Sequence, residues 1–384
     1  LWFVLVSSAG LATLLVGAWM ALFRHDLKGL LAYSTISHLG LITLLFGLNT
    51  SLAAVAAVFH IINHATFKAS LFMAAGIIDH ETGTRDIRQL GGLRRYMPYT
   101  AALASIAAMA MAGVPLLNGF LSKEMFFAEA LDTPLYGNLH WLVPLLATLA
   151  GMLSVAYSLR FVHDVFFGMA PPALQAHQPH EPPRFMRVPV EILVVLCLAV
   201  GIVPAFVIGP VLAASATATL GGTLPEYSLA IWHGFNLPLA MSVVALVGGA
   251  LLYHFRMPLF ALQRRWPRPH APDVFEHSIQ QFIAAAAAIV RFVDNGALQR
   301  YMAWLLLPVA LIMLTVIGSG PDWLGDHAMM PVDGLAVLGT ALAVAASLAT
   351  VILRRQRLVA LLLISIVGLI VSLTFLRLSA PDLA

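Results

Sequence analysis

Apolar residues fill this chain in long runs, and polar residues fall in short clusters between them. Ten runs stand out, over residues 1–23, 29–48, 51–79, 100–130, 140–168, 190–213, 237–255, 302–318, 334–353 and 358–378. About 20 apolar residues suffice to cross a bilayer as a helix. No ten-residue alternation of apolar and polar positions suggests a membrane β-barrel. The pattern predicts an all-α, polytopic membrane helix bundle of about ten transmembrane helices. The fourth run contains AGVPLLNGF, where Gly113, Pro115 and Gly119 loosen a helix and remove a backbone donor, so that helix is expected to be discontinuous. The stretch from Asp273 to Arg300 has charges at both ends and Ser278, Gln280 and Gln281 along it, and reads as an amphipathic helix along the membrane interface or against neighbouring helices. Proline-rich segments, RRWPRPHAP and the span from Pro171 to Pro189, read as linkers.

Composition agrees with the pattern. The 384 residues are 60% hydrophobic and 10% charged, against roughly 25% charged in a soluble domain. The net charge of +3 is no nucleic-acid signal, because the arginines sit in short loops. One set of loops holds Arg24 with Lys28, Arg85 to Arg95, Arg184 with Arg187, Arg256 to Arg300, and Arg354 to Arg357. The alternate set, near residues 49–51, 131–139, 218–236 and 319–333, holds no Lys or Arg but has Asp132, Glu226, Asp322, Asp326 and Asp333. The positive-inside rule places the arginine loops in the cytoplasm, and every loop agrees with one threading. Cys197 lies alone in an apolar run, so there is no disulfide framework. Leu1 opens inside an apolar run with no signal peptide before it, and the chain reads as a piece of a longer protein.

Lysine is where the chemistry concentrates. Of the 21 basic residues only Lys28, Lys68 and Lys123 are lysines. Arginine keeps its charge, whereas a desolvated lysine can release its proton. In FHIINHATFKAS, His60, His64 and Lys68 stand at i, i+4 and i+8, a stripe about 12 Å long on one helix face. Ionisable groups inside a membrane are costly and are functional by default, so the stripe points to proton transfer. The alternatives are a polar stripe bridging helices and, with no carboxylate or cysteine to complete it, a metal site at His60 and His64. After the expected break come Lys123 and Glu124. They read either as part of an ion path or, for Lys123, as a side chain snorkelling to the far interface. Lys28 opens the second segment as an interfacial residue, and His38 lies about three turns further in among Ser34, Thr35 and Ser37. No phosphate loop, nucleophile elbow or cysteine cluster is present, and no cofactor is expected.

The runs DLKGLLAYSTISHLG, FHIINHATFKASLFMAAG, GGLRRYMP and GVPLLNGFLSKE resemble, in order and spacing over residues 1–170, the antiporter-like subunit family. That family includes the large proton-pumping subunits of respiratory complex I and subunits of Mrp-type cation/proton antiporters. LAIWHGFNLPLAMS, DVFEHSIQQF and the final RLVALLLISIVGLIVSLTFLRLSAPDLA are similar to the A-type subunit of the Mrp antiporter, which in proteobacteria can be fused to the B-type one. The resemblance implies a central proton carrier at Lys68, relay histidines at His60 and His64, an outward exit at Lys123 and a further path residue at Lys28. It implies that residues 1–217 form the second half of a proton-channel bundle, 218–300 an extra transmembrane helix and lateral helix, and 301–384 the start of a C-terminal membrane region. It also implies a bacterial inner-membrane location, protons and Na+ or another monovalent cation as cargo, other membrane subunits as partners, and transport instead of enzymatic chemistry. A proton-pumping subunit of a redox complex is the alternative.

Overall fold

The computed structural model describes residues 1–384 apart from 134–136, 138, 139, 266–270, 295, 320–332 and 379–384. Asp322, Asp326, Arg268 and most of the RRWPRPHAP linker therefore lie outside the described residues. The chain separates into two compact units, Leu1–Arg268 and Pro269–Ala384.

In the first unit the three leading runs each form one helix, α1 (Trp2–Phe23), α2 (Leu27–Leu48) and α3 (Ser51–Thr82). Local chemistry sets their ends. The Asp26 carboxylate accepts from Gly29 N, Thr50 Oγ1 accepts from Ala53 N, and Gly83 closes α3 in a left-handed conformation. α1 and α2 meet backbone to backbone at Gly10, Gly17, Gly40 and Gly47; at Gly17 an added Cβ would stand 2.8 Å from Ser37 Cα. Small residues at such crossings let two membrane helices close without a side chain between them.

The fourth run is two helices, α4 (Pro98–Ala112) and α5 (Asn118–Leu131). Then come α6 (Leu142–Phe166), the short α7 (Pro172–His177) and α8 (Arg184–Ile202). The sequence predicts one helix over 190–213, but α8 starts earlier and stops at Ile202. Pro204 and Pro210 lack the N–H that would carry the ladder on. A turn, α9 (Pro204–Val207), and a separate helix, α10 (Gly209–Leu220), follow. The unit ends with α11 (Leu237–His254) and α12 (Arg256–Arg265).

The second unit holds α13 (Ala271–Val293), α14 (Leu298–Ser319), α15 (Gly334–Ile352) and α16 (Arg357–Arg377). Arg377 donates to the Asp333 carboxylate at 2.7 Å, tying the end of α16 to the start of α15. Among the described residues nine helices are long and apolar enough to cross a membrane, and the α4–α5 pair supplies the discontinuous tenth. No strand occurs among them, only an isolated bridge between Asp26 and Asp86.

The arginine-bearing loops of the first unit gather at one end. Leu27 N donates to Arg85 O at 2.9 Å, Ile87 N to His25 O at 2.8 Å, and Gly92 N to Phe167 O at 3.0 Å. Arg160 is buried there and donates to the carbonyls of Leu22 and Arg24. The Arg88 guanidinium holds the half-buried Asp86 carboxyl below the usual carboxylate range. At the opposite end Thr50 meets Glu129 and His233 meets Glu124, so the two loop sets keep to separate ends.

Candidate functional site

α3 carries its polar stripe through the middle of the first unit. His60 is fully buried, Lys68 is 4% exposed and His64 is half-buried. The Lys68 amine donates to Ser34 Oγ and to Leu31 O of α2, and lies 3.3 Å from Met111 Sδ of α4. His38 comes in from α2, its Nδ1 3.0 Å from His60 Nε2. On the other side of that ring His60 Nδ1 is 3.0 Å from Ser122 Oγ of α5. Tyr157 OH, from α6, is 3.4 Å from His38 Nε2. The result is a hydrogen-bonded line across four helices. His64 packs beside it, its ring centre 5.2 Å from that of His38. Phe67 presses edge-on against all three imidazoles, at 5.4, 6.4 and 5.6 Å from His38, His60 and His64.

The break between α4 and α5 sets the second lysine. Gly113 ends α4 at φ 87, a left-handed conformation that a Cβ resists. Pro115 lies inside the break, and Leu116 is also left-handed, at φ 67. Gly119 is not in the break, as the sequence suggests; it sits in the first turn of α5, where an added Cβ would overlap the Ala110 carbonyl. The last four carbonyls of a helix lack intrahelical donors, and here each has one. Met109 O and Ala110 O accept from the N–H groups after the helix, while Met111 O and Ala112 O accept from Lys123 Nζ at 2.7 and 2.9 Å. Ser154 Oγ accepts from the same amine at 2.9 Å. Lys123 is thus buried, 6% exposed, and turned back onto the negative end of the α4 dipole. Snorkelling does not describe it. Both lysine amines touch Met111, one at its sulfur and one at its carbonyl. A cavity of about 20 Å³ lies between His38, Tyr157, Ser154 and Lys123, room for a single water.

Three consecutive residues of α5 serve three sides. Ser122 meets His60, Lys123 meets the α4 terminus, and Glu124 meets His233 on the segment before α11, at 3.8 Å. Successive helical residues point about 100° apart, so one turn of α5 connects the histidines, the break and the arginine-poor end. Lys28 is placed elsewhere. It pairs with Asp79 at 2.7 Å at the arginine-rich end, with both side chains partly exposed.

Among the described residues neither Lys68 nor Lys123 has a carboxylate partner, and no three His, Cys, Asp or Glu side chains are grouped to hold a metal. The arrangement suits proton transfer. It offers amines without counter-ions, two imidazoles, His38 and His60, with both nitrogens engaged, a third, His64, whose buried Nε2 has no hydrogen-bond partner, and hydroxyls bridging helices. The sequence reading placed Ser34 near His38 but missed Ser122, Ser154, Tyr157 and His233. Ser154, Tyr157 and Ser158 do recur at helical spacing in α6 and mark a polar face.

Residues 1–154 match the family model described as the transmembrane domain of NADH:quinone oxidoreductase/Mrp antiporter. Residues 341–384 match a model described as the D-type subunit of MBH. A probable K(+)/H(+) antiporter protein of the A/B type from Rhizobium meliloti is 50% identical over all of this chain, which covers 39% of that protein. The A-type subunit of a Na(+)/H(+) antiporter from Alkalihalophilus pseudofirmus is 33% identical over all of this chain, which covers 51% of it. The solved Mrp complex from Dietzia sp. contains a chain 35% identical to this one, with a TM-score of 0.65 over 99% of this chain and 41% of that chain. The chain thus spans about half, or less, of the length of these relatives.

Proposed function

Because this chain belongs to the antiporter-like subunit family shared by NADH:quinone oxidoreductase and Mrp antiporters, we propose that it moves protons within a multisubunit monovalent cation/proton antiporter of a bacterial inner membrane. The observation that carries the reading is the pair of buried amines, Lys68 and Lys123, joined through Met111 and flanked by the His38–His60 line. An ammonium buried without a counter-ion is costly, and releasing its proton removes the cost. Lys68 is then the central carrier, His60, His64 and His38 the relay, and Lys123 with Glu124 the outward branch. Lys28, paired with Asp79, stands at the cytoplasmic mouth. Similarity to Mrp-type subunits along the whole chain favours an antiporter over a redox-driven pump. The relatives' names include both K(+) and Na(+), and the cargo is taken as a monovalent cation. Other membrane subunits complete the assembly, and the exposed apolar faces of α14 and α16 suit them or lipid.

The test is antiport in everted membrane vesicles carrying the full-length protein with its partner subunits. Lys68→Arg is expected to abolish cation-driven proton movement nearly as fully as Lys68→Ala, since arginine keeps charge but cannot cycle a proton. Substantial flux in an assembled Lys68→Arg variant would reduce Lys68 to a structural charge.

A further inference from the structure

The segment from Gly221 to Asn236 passes over α3 and α5 at the arginine-poor end and encloses a cavity of about 310 Å³. Glu124, 7% exposed, reaches the cavity from α5. His233 lies above it, Nδ1 3.8 Å from Glu124 Oε2, with a third of its side chain exposed. The other titratable groups facing the cavity are Glu129 of α5, which accepts from Thr50 Oγ1 at 3.0 Å, and Glu226 and Tyr227 of the segment itself. α3 contributes only apolar side chains to the wall, and α11 contributes its N-cap, Asn236.

We propose that His233 is a further proton carrier, passing protons between Glu124 and the water of this cavity, so that the segment 221–236 forms the outward port of the lysine–histidine line. The inference rests on the proton-transport reading above. Glu124 is nearly closed off, while the cavity beyond it is large enough for many waters. Glu124 lines the cavity with little of its surface open, and His233, a third exposed, is the titratable side chain beside that carboxyl and the more open of the two. A separation of 3.8 Å is too long for a direct hydrogen bond. A small turn of the ring, or one water, closes it for transfer. The step balances on the two ring nitrogens. The Glu124 carboxyl gives its proton to Nδ1 and becomes a carboxylate, while Nε2 releases its own proton to water; tautomerisation resets the ring. Glu129 and Glu226 line the same cavity and make its wall acidic in composition.

The experiment uses right-side-out vesicles with the full-length protein and its partner subunits, in which the port faces the medium. Internal pH is followed after a cation gradient is imposed. His233→Ala is expected to slow proton movement by about tenfold or more, and excess imidazole in the medium is expected to restore much of it. If His233→Ala fails to assemble, His233→Gln, which keeps size and a hydrogen-bond donor, is read in its place and is expected to be equally slow. Flux within about twofold of the wild type in an assembled variant would overturn the proposal. So would a deficit in assembled His233→Ala that imidazole leaves unchanged, since that is the mark of a packing role. Lys68→Ala in the same vesicles separates the two levels. Flux surviving there defeats the transport reading itself, whereas loss of flux there with an unaffected His233→Ala defeats only the port.

Discussion

At the scale of single residues, Lys123 has two tasks that substitution can separate. It supplies donors to the Met111 and Ala112 carbonyls at the end of α4, and it is offered as a proton carrier. Lys123→Met leaves at least the Ala112 carbonyl without a donor in a buried place, at a cost of about 1–3 kcal/mol. Lys123→Gln keeps one amide donor for the same site and loses the titrating group. Thermal unfolding of the purified protein is expected to show Lys123→Met clearly less stable than Lys123→Gln, with antiport slowed in both. Antiport at the wild-type rate in Lys123→Gln would remove Lys123 from the path and leave it as a helix cap. Phe67 sets a second case. Its ring holds three imidazoles edge-on, and Phe67→Ala opens a cavity beside them worth about 3–5 kcal/mol. Phe67→Leu, which loses the edge contacts and little volume, is expected to keep the fold and slow proton movement. Equal rates in wild type and Phe67→Leu would mean that the histidines position themselves.

At the scale of elements, the break in the fourth span depends on two glycines for different reasons. Gly119 allows α5 to lie against the Ala110 carbonyl, and any side chain there overlaps backbone. Gly113 holds a left-handed turn, where alanine costs about 1–2 kcal/mol, and an added Cβ would stand 2.9 Å from Lys123 Cδ. Gly119→Ala is therefore expected to lower the yield of assembled protein. Gly113→Ala should assemble but displace Lys123 and slow transport. The reverse order of yields would refute this account of the break. The break itself was legible, because Gly113 and Pro115 announce it locally. The end of α8 at Ile202 was legible only in part. Pro204 marks it, yet the run of apolar residues continues past it and hydropathy alone carries the helix on. The stripe of His60, His64 and Lys68 could be read because one helix carries all three. Ser34 could be placed near His38 on its own helix, whereas Ser122, Tyr157 and His233 could not be assigned, since each reaches the site through packing between distant segments. Nor does the alternation of loop charges reveal the crossing of α1 and α2, although Gly10 and Gly17, like Gly40 and Gly47, stand seven residues apart.

At the scale of the whole molecule, charge sorts the loops. Backbone hydrogen bonds join the loops around residues 25, 85–92 and 167 at one end of the first unit, and the carboxylates Glu124, Glu129 and Glu226 meet at the other. In the second unit Arg377 falls at the arginine-poor end of its helix and is met there by Asp333. With Cys197 replaced by alanine, a cysteine at Arg95 should resist an impermeant thiol reagent applied outside intact cells, and a cysteine at Ser228 should react. Labelling at Arg95 would invert the threading and with it the direction assigned to the port. The turn of α5 bearing Ser122, Lys123 and Glu124 places a demand of another kind on the chain. It works like a three-lobed cam whose setting is fixed by how many residues lie in the break before it. One residue added between Gly113 and Asn118 would index the cam by about 100°, presenting serine where lysine belongs and lysine where the carboxylate belongs. Substitutions in the break are therefore open to natural drift in a way that single insertions and deletions are not.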